Sequence, residues 1–255
     1  MNTYILPYKI GSESAKVLAE QLGCLRIKGD KRLPNNSIVF NWGNSEVHPI
    51  CNNRRPCNLY NIPEAVTRAS DKLRTFSVLS NRGVRIPQTT QAGWVAHQWI
   101  EEGATVYGRR YTNSSQGKGI HILTQDDYFI DNLPLYTRGI VGKEYRVHVA
   151  FGKIIDFTQK KKRSETEVNE YVRNHSNGWV FAREGVLLPP DAAVQSIKAI
   201  DELGLDYGAI DVIVNDNNAA YILEVNTAPG IEGTTLQKYS AAFEEVLYEY
   251  RNTTN

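Results

Sequence analysis

Residues 207–235 read YGAIDVIVNDNNAAYILEVNTAPGIEGTT, and this stretch decides the fold. Two apolar runs, Gly208–Val214 and Ala219–Val225, flank the polar segment Asn215–Asn218, which is the pattern of a β-hairpin. Strand side chains repeat every two residues, so Glu224 and Asn226 share a face. A symmetric fold about the turn brings Asp211 beside them. Two carboxylates and an amide oxygen on one sheet face suit Mg²⁺, which keeps further positions for water and phosphate. An acidic pair facing solvent on an edge strand has the same spacing.

The totals narrow the classes open to the chain. Its 255 residues carry 29 Lys+Arg against 28 Asp+Glu, a balance that argues against wholesale wrapping of nucleic acid but permits local basic patches. The cysteines are Cys24, Cys51 and Cys57, an odd number without a CxxC pair. Neither a disulfide framework nor a zinc site is expected, and a reducing compartment fits best. The first residues lack the apolar run of a signal peptide, and no run approaches the roughly 18 residues of a membrane helix. The expectation is a soluble, cytoplasmic protein with no membrane partner.

Upstream of the hairpin, Tyr4–Tyr8, Cys24–Ile27 and Ser37–Asn41 read as strands around a helix with Ala15, Leu18, Ala19 and Leu22 at helical spacing, a small parallel α/β lobe. Residues Trp42–Pro56, rich in Asn, Gly and Pro, read as a loop. Asn61, Pro63 and Glu64 outline a capping box that opens one helix running to about Ser80 and carrying Lys72. Gly83–Thr89 is then an extended crossing between lobes.

A short helix at Trp94–Glu101 precedes the strand Thr105–Tyr111, the polar turn Thr112–Gly119 and the strand Ile120–Leu123. Backbone N–H groups and hydroxyls at such a tip can close over phosphate oxygens, although an ordinary hairpin turn has the same composition. No Walker A loop is present. Arg109 or Arg110 supplies a cation at the base of the turn; neighbours on a strand face opposite ways, and Arg110 is ranked ahead because it is nearer the tip. Glu144, Arg146 and His148 line one face of the strand Glu144–Val149, paired with Lys153–Phe157. The run Lys160–Arg163 reads as an exposed charged turn, a nucleic-acid contact or phosphate ligands at a strand end. No aromatic platform interleaves with it, which weakens the nucleic-acid reading. Arg173, in the polar segment Tyr171–Trp179, can fork onto a carboxylate or tie down its own loop.

Taken together, a Lys-bearing helix, a Ser-Gln-Gly-Lys-Gly turn, a Glu-x-Arg strand, a basic strand end, an Arg-Asn loop and a distal Asp with Glu-x-Asn resemble the ATP-grasp carboxylate–amine ligases. The tail Leu223–Gly233 is similar to the ribosomal-protein glutamate ligases, and Arg173–Trp179 resembles ligase-like proteins coded by bacteriophages. The resemblance covers roughly Ala69–Tyr239. It implies an α/β fold with nucleotide between two antiparallel sheets, divided into an N-terminal lobe (1–88), a central lobe with the glycine flap (89–137) and a C-terminal lobe with the metal site (138–255).

The resemblance also assigns residues. ATP is held by Lys72, Arg109, Arg110, Glu144 and Lys160, under a flap of Ser114, Ser115, Gln116, Gly117, Lys118 and Gly119. Mg²⁺, or Mn²⁺ in its place, sits on Asp211, Glu224 and Asn226. Arg146, Arg173, Asn174 and Lys161 serve the chemistry. The family commonly places Lys on the strand entering the flap, where this chain offers only the two arginines. The implied reaction joins a carboxylate to the amine of an amino acid, peptide or protein terminus through an acyl phosphate. A kinase built on the same clamp, and a non-catalytic nucleotide- or nucleic-acid-binding protein, are the alternatives. A dimer, and the cytoplasm of a phage-infected bacterium, are further expectations of the resemblance.

Overall fold

A computed structural model describes residues 2–29, 31–46, 57–113, 118–125, 131–163, 173 and 178–253. The N-terminal residues form β1 (Thr3–Pro7), α1 (Glu13–Gln21), β2 (Leu25–Arg26), β3 (Ser37–Trp42) and β4 (Cys57–Tyr60). All four strands are parallel, in the order β2-β1-β3-β4. Every residue of β3 is buried, as expected of a central parallel strand covered on both faces. Ser12 caps α1 by accepting from the Ala15 N–H at 3.3 Å.

Two antiparallel sheets follow. β5 (Thr89–Thr90), β6 (Val106–Arg109), β7 (Ile120–Leu123) and β8 (Leu135–Arg138) pair in the order β5-β8-β6-β7, with α4 (Gly93–Glu101) packed on them. The larger sheet runs β11-β10-β9-β12-β13, from β9 (Lys143–Ala150), β10 (Lys153–Lys162), β11 (Trp179–Ala182), β12 (Tyr207–Val214) and β13 (Ala220–Asn226). Its apolar face, including Val147, Ile210, Val212 and Ile222, buries against α2 (Pro63–Ser70), α3 (Lys72–Asn81) and α5 (Pro190–Glu202). On its other face Glu144, Arg146, Asp211 and Glu224 line a cleft shared with the smaller sheet, while Ala150 and Tyr207 pack with Trp42, Tyr239 and Phe243. Among the described residues no helix is long and apolar enough to cross a membrane.

The N-terminal lobe is joined to the large sheet by aromatic packing and buried amides. Phe40 stacks on Phe243 of α6 (Gly233–Thr253) with ring centroids 4.1 Å apart, and Trp42 stacks on Tyr207 at 5.8 Å. Asn61, wholly buried, donates to the Tyr207 carbonyl at 2.9 Å and accepts from the Asp206 N–H at 2.7 Å. Asn61 therefore does not cap α2, whose N-cap is Ile62 without a side-chain bond. The expected single helix is two: Asp71 is extended (φ −107°), ends α2, and caps α3 by accepting from the Arg74 N–H. Aspartate at a cap competes better than aspartate inside a helix. β10 also runs five residues beyond the expected end at Phe157, which places Lys160–Lys162 of the basic run inside a strand. Cys57 is disulfide-bonded while Cys24 is a free thiol; the odd cysteine count, which argues against a disulfide framework, leaves room for one pair.

Candidate active site

The hairpin forms as its sequence predicts, with Asp211 opposite Glu224 and Ala209 opposite Asn226. A register shift after Asp211 leaves Leu223 as the extra residue on β13. On the neighbouring strands Arg146 lies opposite Asp211 and Thr158 opposite Arg146, so a polar row crosses β10, β9, β12 and β13. Arg146, Asp211 and Glu224 of this row form the floor of a cleft of about 470 Å³, whose lining also includes Arg109, Thr137 and Ile140, Phe181 and Arg173, and Ala228–Gly230.

Opposite charges are interleaved on this floor. Arg146 donates through Nε and Nη2 to the two Asp211 oxygens at 2.7 and 2.9 Å, a bidentate pair. Lys160 Nζ bonds Glu144 and lies 3.3 Å from Asp211 Oδ2. Lys72 Nζ, buried at the start of α3, is 3.1 Å from Glu224 Oε1. The Arg146 guanidinium also lies 4.8 Å from the centroid of the Phe181 ring, which shields its apolar face. Burial pushes the Asp211 carboxyl up, but Arg146 and Lys160 outweigh it and hold the group below the ordinary carboxylate range. Glu144 goes the other way, because its burial exceeds the pull of Lys160. Arg109 is lowered by burial, with Glu224 opposing, and among the described residues its Nε has no hydrogen-bond partner. A buried, unpartnered guanidinium nitrogen in a cleft is an unmet demand for an acceptor.

The fold places the residues singled out in the sequence differently. Glu144, Arg146, Lys160, Arg173, Asp211, Glu224 and Asn226 line the cleft with Arg109. Arg110 and Lys161 are exposed and are absent from its walls, which include Arg109 and Lys160 instead. Strand alternation decides both pairs. Lys118 is exposed, and Gly119 has φ +75° with the Tyr111 ring where a Cβ would stand. Ser114, Ser115, Gln116, Gly117 and Asn174 lie outside the described residues. Arg173 donates to the Gly142 carbonyl at 2.8 Å and its guanidinium lies 4.9 Å from the Trp179 ring centroid, so part of its bonding is to the backbone between the two sheets. His148 is buried on Tyr239 at 3.1 Å, and burial pushes its pKa down to about 4. Sequence reasoning missed Phe181, an aromatic in a short strand whose pairing with the Lys160 row only the fold reveals.

Among the described residues no group of three or more His, Cys, Asp or Glu side chains gathers as a metal site. The donor set on the floor is instead two carboxylates and one amide oxygen. That set fits a hard divalent cation that completes its shell with water and phosphate oxygens.

Residues 69–232 match a family model described as an ATP-grasp domain. A curated relative, the "Probable alpha-L-glutamate ligase" of Syntrophotalea carbinolica, is 23% identical over 251 residues, covering 90% of this chain and 81% of the relative. In two further curated ligases of the same kind the matched part spans 59% and 61% of the relative's length. The D-alanyl-alanine synthetase A of Vibrio cholerae superposes with a TM-score of 0.67 at 13% identity, over 97% of this chain and 98% of that one. The ATP-grasp ligase PsnB, in a complex with its minimal precursor, Mg and ADP, superposes with a TM-score of 0.65 at 13% identity, over 95% and 96%.

Proposed function

The chain belongs to the ATP-grasp domain family, and from that premise we propose that it is an ATP-dependent ligase joining a carboxylate to an amine. The observation that carries this reading is the convergence of Arg109, Arg146 and Lys160 with Asp211, Glu224 and Asn226 in one cleft between two antiparallel sheets, with Lys72 behind the lining and paired to Glu224. Four cations and a hard-cation donor set in one place are what a triphosphate and its metal need. The kinship with glutamate ligases and the peptide complex of PsnB support an amino acid or peptide as substrate.

In this reading the lobes divide near residues 88 and 137, and nucleotide lies between the second and third. Arg109 and Lys72 hold the phosphates, Glu144 meets the ribose, and Ser114–Gly119 close above. Asp211, Glu224 and Asn226 would hold Mg²⁺, which supplies neutralisation of charge on the phosphate oxygens. The substrate carboxylate attacks the γ-phosphorus in line, the bond to the β,γ-bridging oxygen breaks, and ADP leaves an acyl phosphate. The amine then attacks the acyl carbon, gives up a proton, and expels inorganic phosphate. Arg146 and Lys160 stand where they can compensate the negative charge that develops at each step. Exclusion of water by the closed site protects the acyl phosphate from hydrolysis.

The test is product analysis after incubation with Mg-ATP and a panel of amino acids and short peptides. The account expects ADP, inorganic phosphate and a new amide by mass spectrometry. ADP with a stable phosphoester would instead make the protein a kinase, and no nucleotide turnover would remove the enzyme reading.

A further inference from the structure

The wall of the cleft beyond Asn226 is made by Ala228, Pro229 and Gly230. Behind it stands Gly43, at the turn that follows β3. Gly43 does not line the cleft, yet a Cβ built on it would lie 2.6 Å from the Ala228 Cβ and 3.6 Å from Thr227 Oγ1. Its φ of +81° is also one that side chains rarely adopt. The N-terminal lobe thus reaches the cleft through a contact that only glycine permits.

The Gly43 side of this contact is tied by buried hydrogen bonds, whereas Ala228 is only partly buried. Asn41 Nδ2 donates to the carbonyls of Asn44 and Asn61 at 2.8 and 2.7 Å, and Asn41 Oδ1 accepts from the Asn44 N–H at 2.8 Å. Tyr207 donates its hydroxyl to the Asn41 carbonyl at 2.7 Å, and the Tyr8 N–H donates to the Trp42 carbonyl at 3.0 Å. Asn41, Trp42, Asn61 and Tyr207 are all fully buried. A hydrogen-bonded buried amide network rigidifies its surroundings. An atom added at residue 43 is therefore accommodated by displacement of Ala228 toward the cleft, by roughly 1 Å.

Resting on the ligase reading above, we propose that Gly43 is a positioning residue. Acting through Ala228, it sets the wall against which the amino-acid substrate lies, while the nucleotide is held elsewhere on the floor. Gly43→Ala closes that wall inward and selectively weakens the amino-acid substrate. Ala228→Gly in the same chain removes the opposing methyl and reopens it.

Four proteins decide the matter: wild type, Gly43→Ala, the Gly43→Ala/Ala228→Gly double variant, and Ala228→Val. The last adds carbons across the same contact while leaving the backbone of residue 43 untouched, and so covers the case in which Gly43→Ala does not fold. Mg-ATP affinity is read by calorimetry. Phosphate release from Mg-ATP is then followed with L-glutamate, or with whichever of the twenty amino acids stimulates it most. Gly43→Ala and Ala228→Val should raise the amino-acid KM about tenfold or more. Mg-ATP affinity should stay within about twofold and kcat within about threefold. The double variant should return the KM to within about threefold of wild type.

Equal changes in amino-acid KM and Mg-ATP affinity, unchanged KM in both single variants, or a double variant no better than Gly43→Ala would each overturn the assignment. Wild type that binds Mg-ATP but releases no phosphate with any amino acid also overturns it, since no amino acid then lies against this wall. Wild type that fails to bind Mg-ATP removes the ligase reading itself and is a distinguishable failure.

Discussion

Asp211→Asn keeps the shape of the side chain at the centre of the site and removes its charge. The carboxylate takes both Arg146 donors at 2.7 and 2.9 Å and approaches Lys160 Nζ at 3.3 Å, with its side chain 8% exposed. Removing one partner of a buried ion pair costs about 3–5 kcal/mol, because the survivor stays buried and uncompensated. Arg146 keeps 23% of its side chain exposed in the cleft and Lys160 keeps Glu144, so part of that cost is relieved. We expect a loss of about 2–4 kcal/mol at pH 7, a fall in Tm of several degrees for a chain this size. Guanidinium denaturation with an unchanged m-value measures it. Arg146→Met added to Asp211→Asn removes the stranded charge and should recover about half of the loss. The folded Asp211 pKa lies below its unfolded value, so this stabilisation is present above the unfolded pKa and fades as pH falls toward the folded one. The difference between wild type and variant should therefore shrink below about pH 4. A loss under about 1 kcal/mol at pH 7, or a double variant in which the two losses add, refutes the reasoning.

Further outcomes follow from the same geometry. Lys160→Ala should lower kcat/KM for ligation by about a hundredfold or more, whereas Lys161→Ala, altering an exposed side chain, should stay within about twofold. His148 is held neutral, with a folded pKa of about 4 against 6.5, so it stabilises the fold above pH 6.5 and that stabilisation is lost as pH falls toward 4. Wild type should lose about 3 kcal/mol more than His148→Gln between pH 7 and 4, read by denaturant titration at each pH. Gly142 has the Val214 carbonyl oxygen 2.2 Å from where its Cβ would stand, so Gly142→Ala should destabilise by about 2 kcal/mol or more in the same assay.

Much of the hairpin was legible because its signals are local. Alternation gave the shared face of Glu224 and Asn226, and a polar turn of the right length brought Asp211 opposite Glu224. The parallel N-terminal lobe was legible for the same reason, as short apolar runs between turn residues. Asn61 was misread because its partners, Asp206 and Tyr207, are about 145 positions away, and a capping pattern was the only local use for it. The choices between Arg109 and Arg110 and between Lys160 and Lys161 needed the phase of a strand. β10 has an irregularity between Ile154 and Asp156, so counting from its start does not give that phase. Lys160 could be placed only once β10 was known to continue to Lys162 and to pair with β9. The support that Gly43 gives Ala228 left no local trace, because the contact joins residues far apart in the chain.

The central claim is that the floor of the cleft holds a nucleotide through a metal on the hairpin. Calorimetric titration of Mg-ATP into wild type and into Glu224→Ala, each with and without excess chelator, tests it most directly. Wild type should bind Mg-ATP and lose most of that affinity when the metal is chelated, while Glu224→Ala should bind weakly and respond little to chelation. Wild type that does not bind Mg-ATP, or Glu224→Ala that binds with wild-type affinity and undiminished metal dependence, would contradict the account.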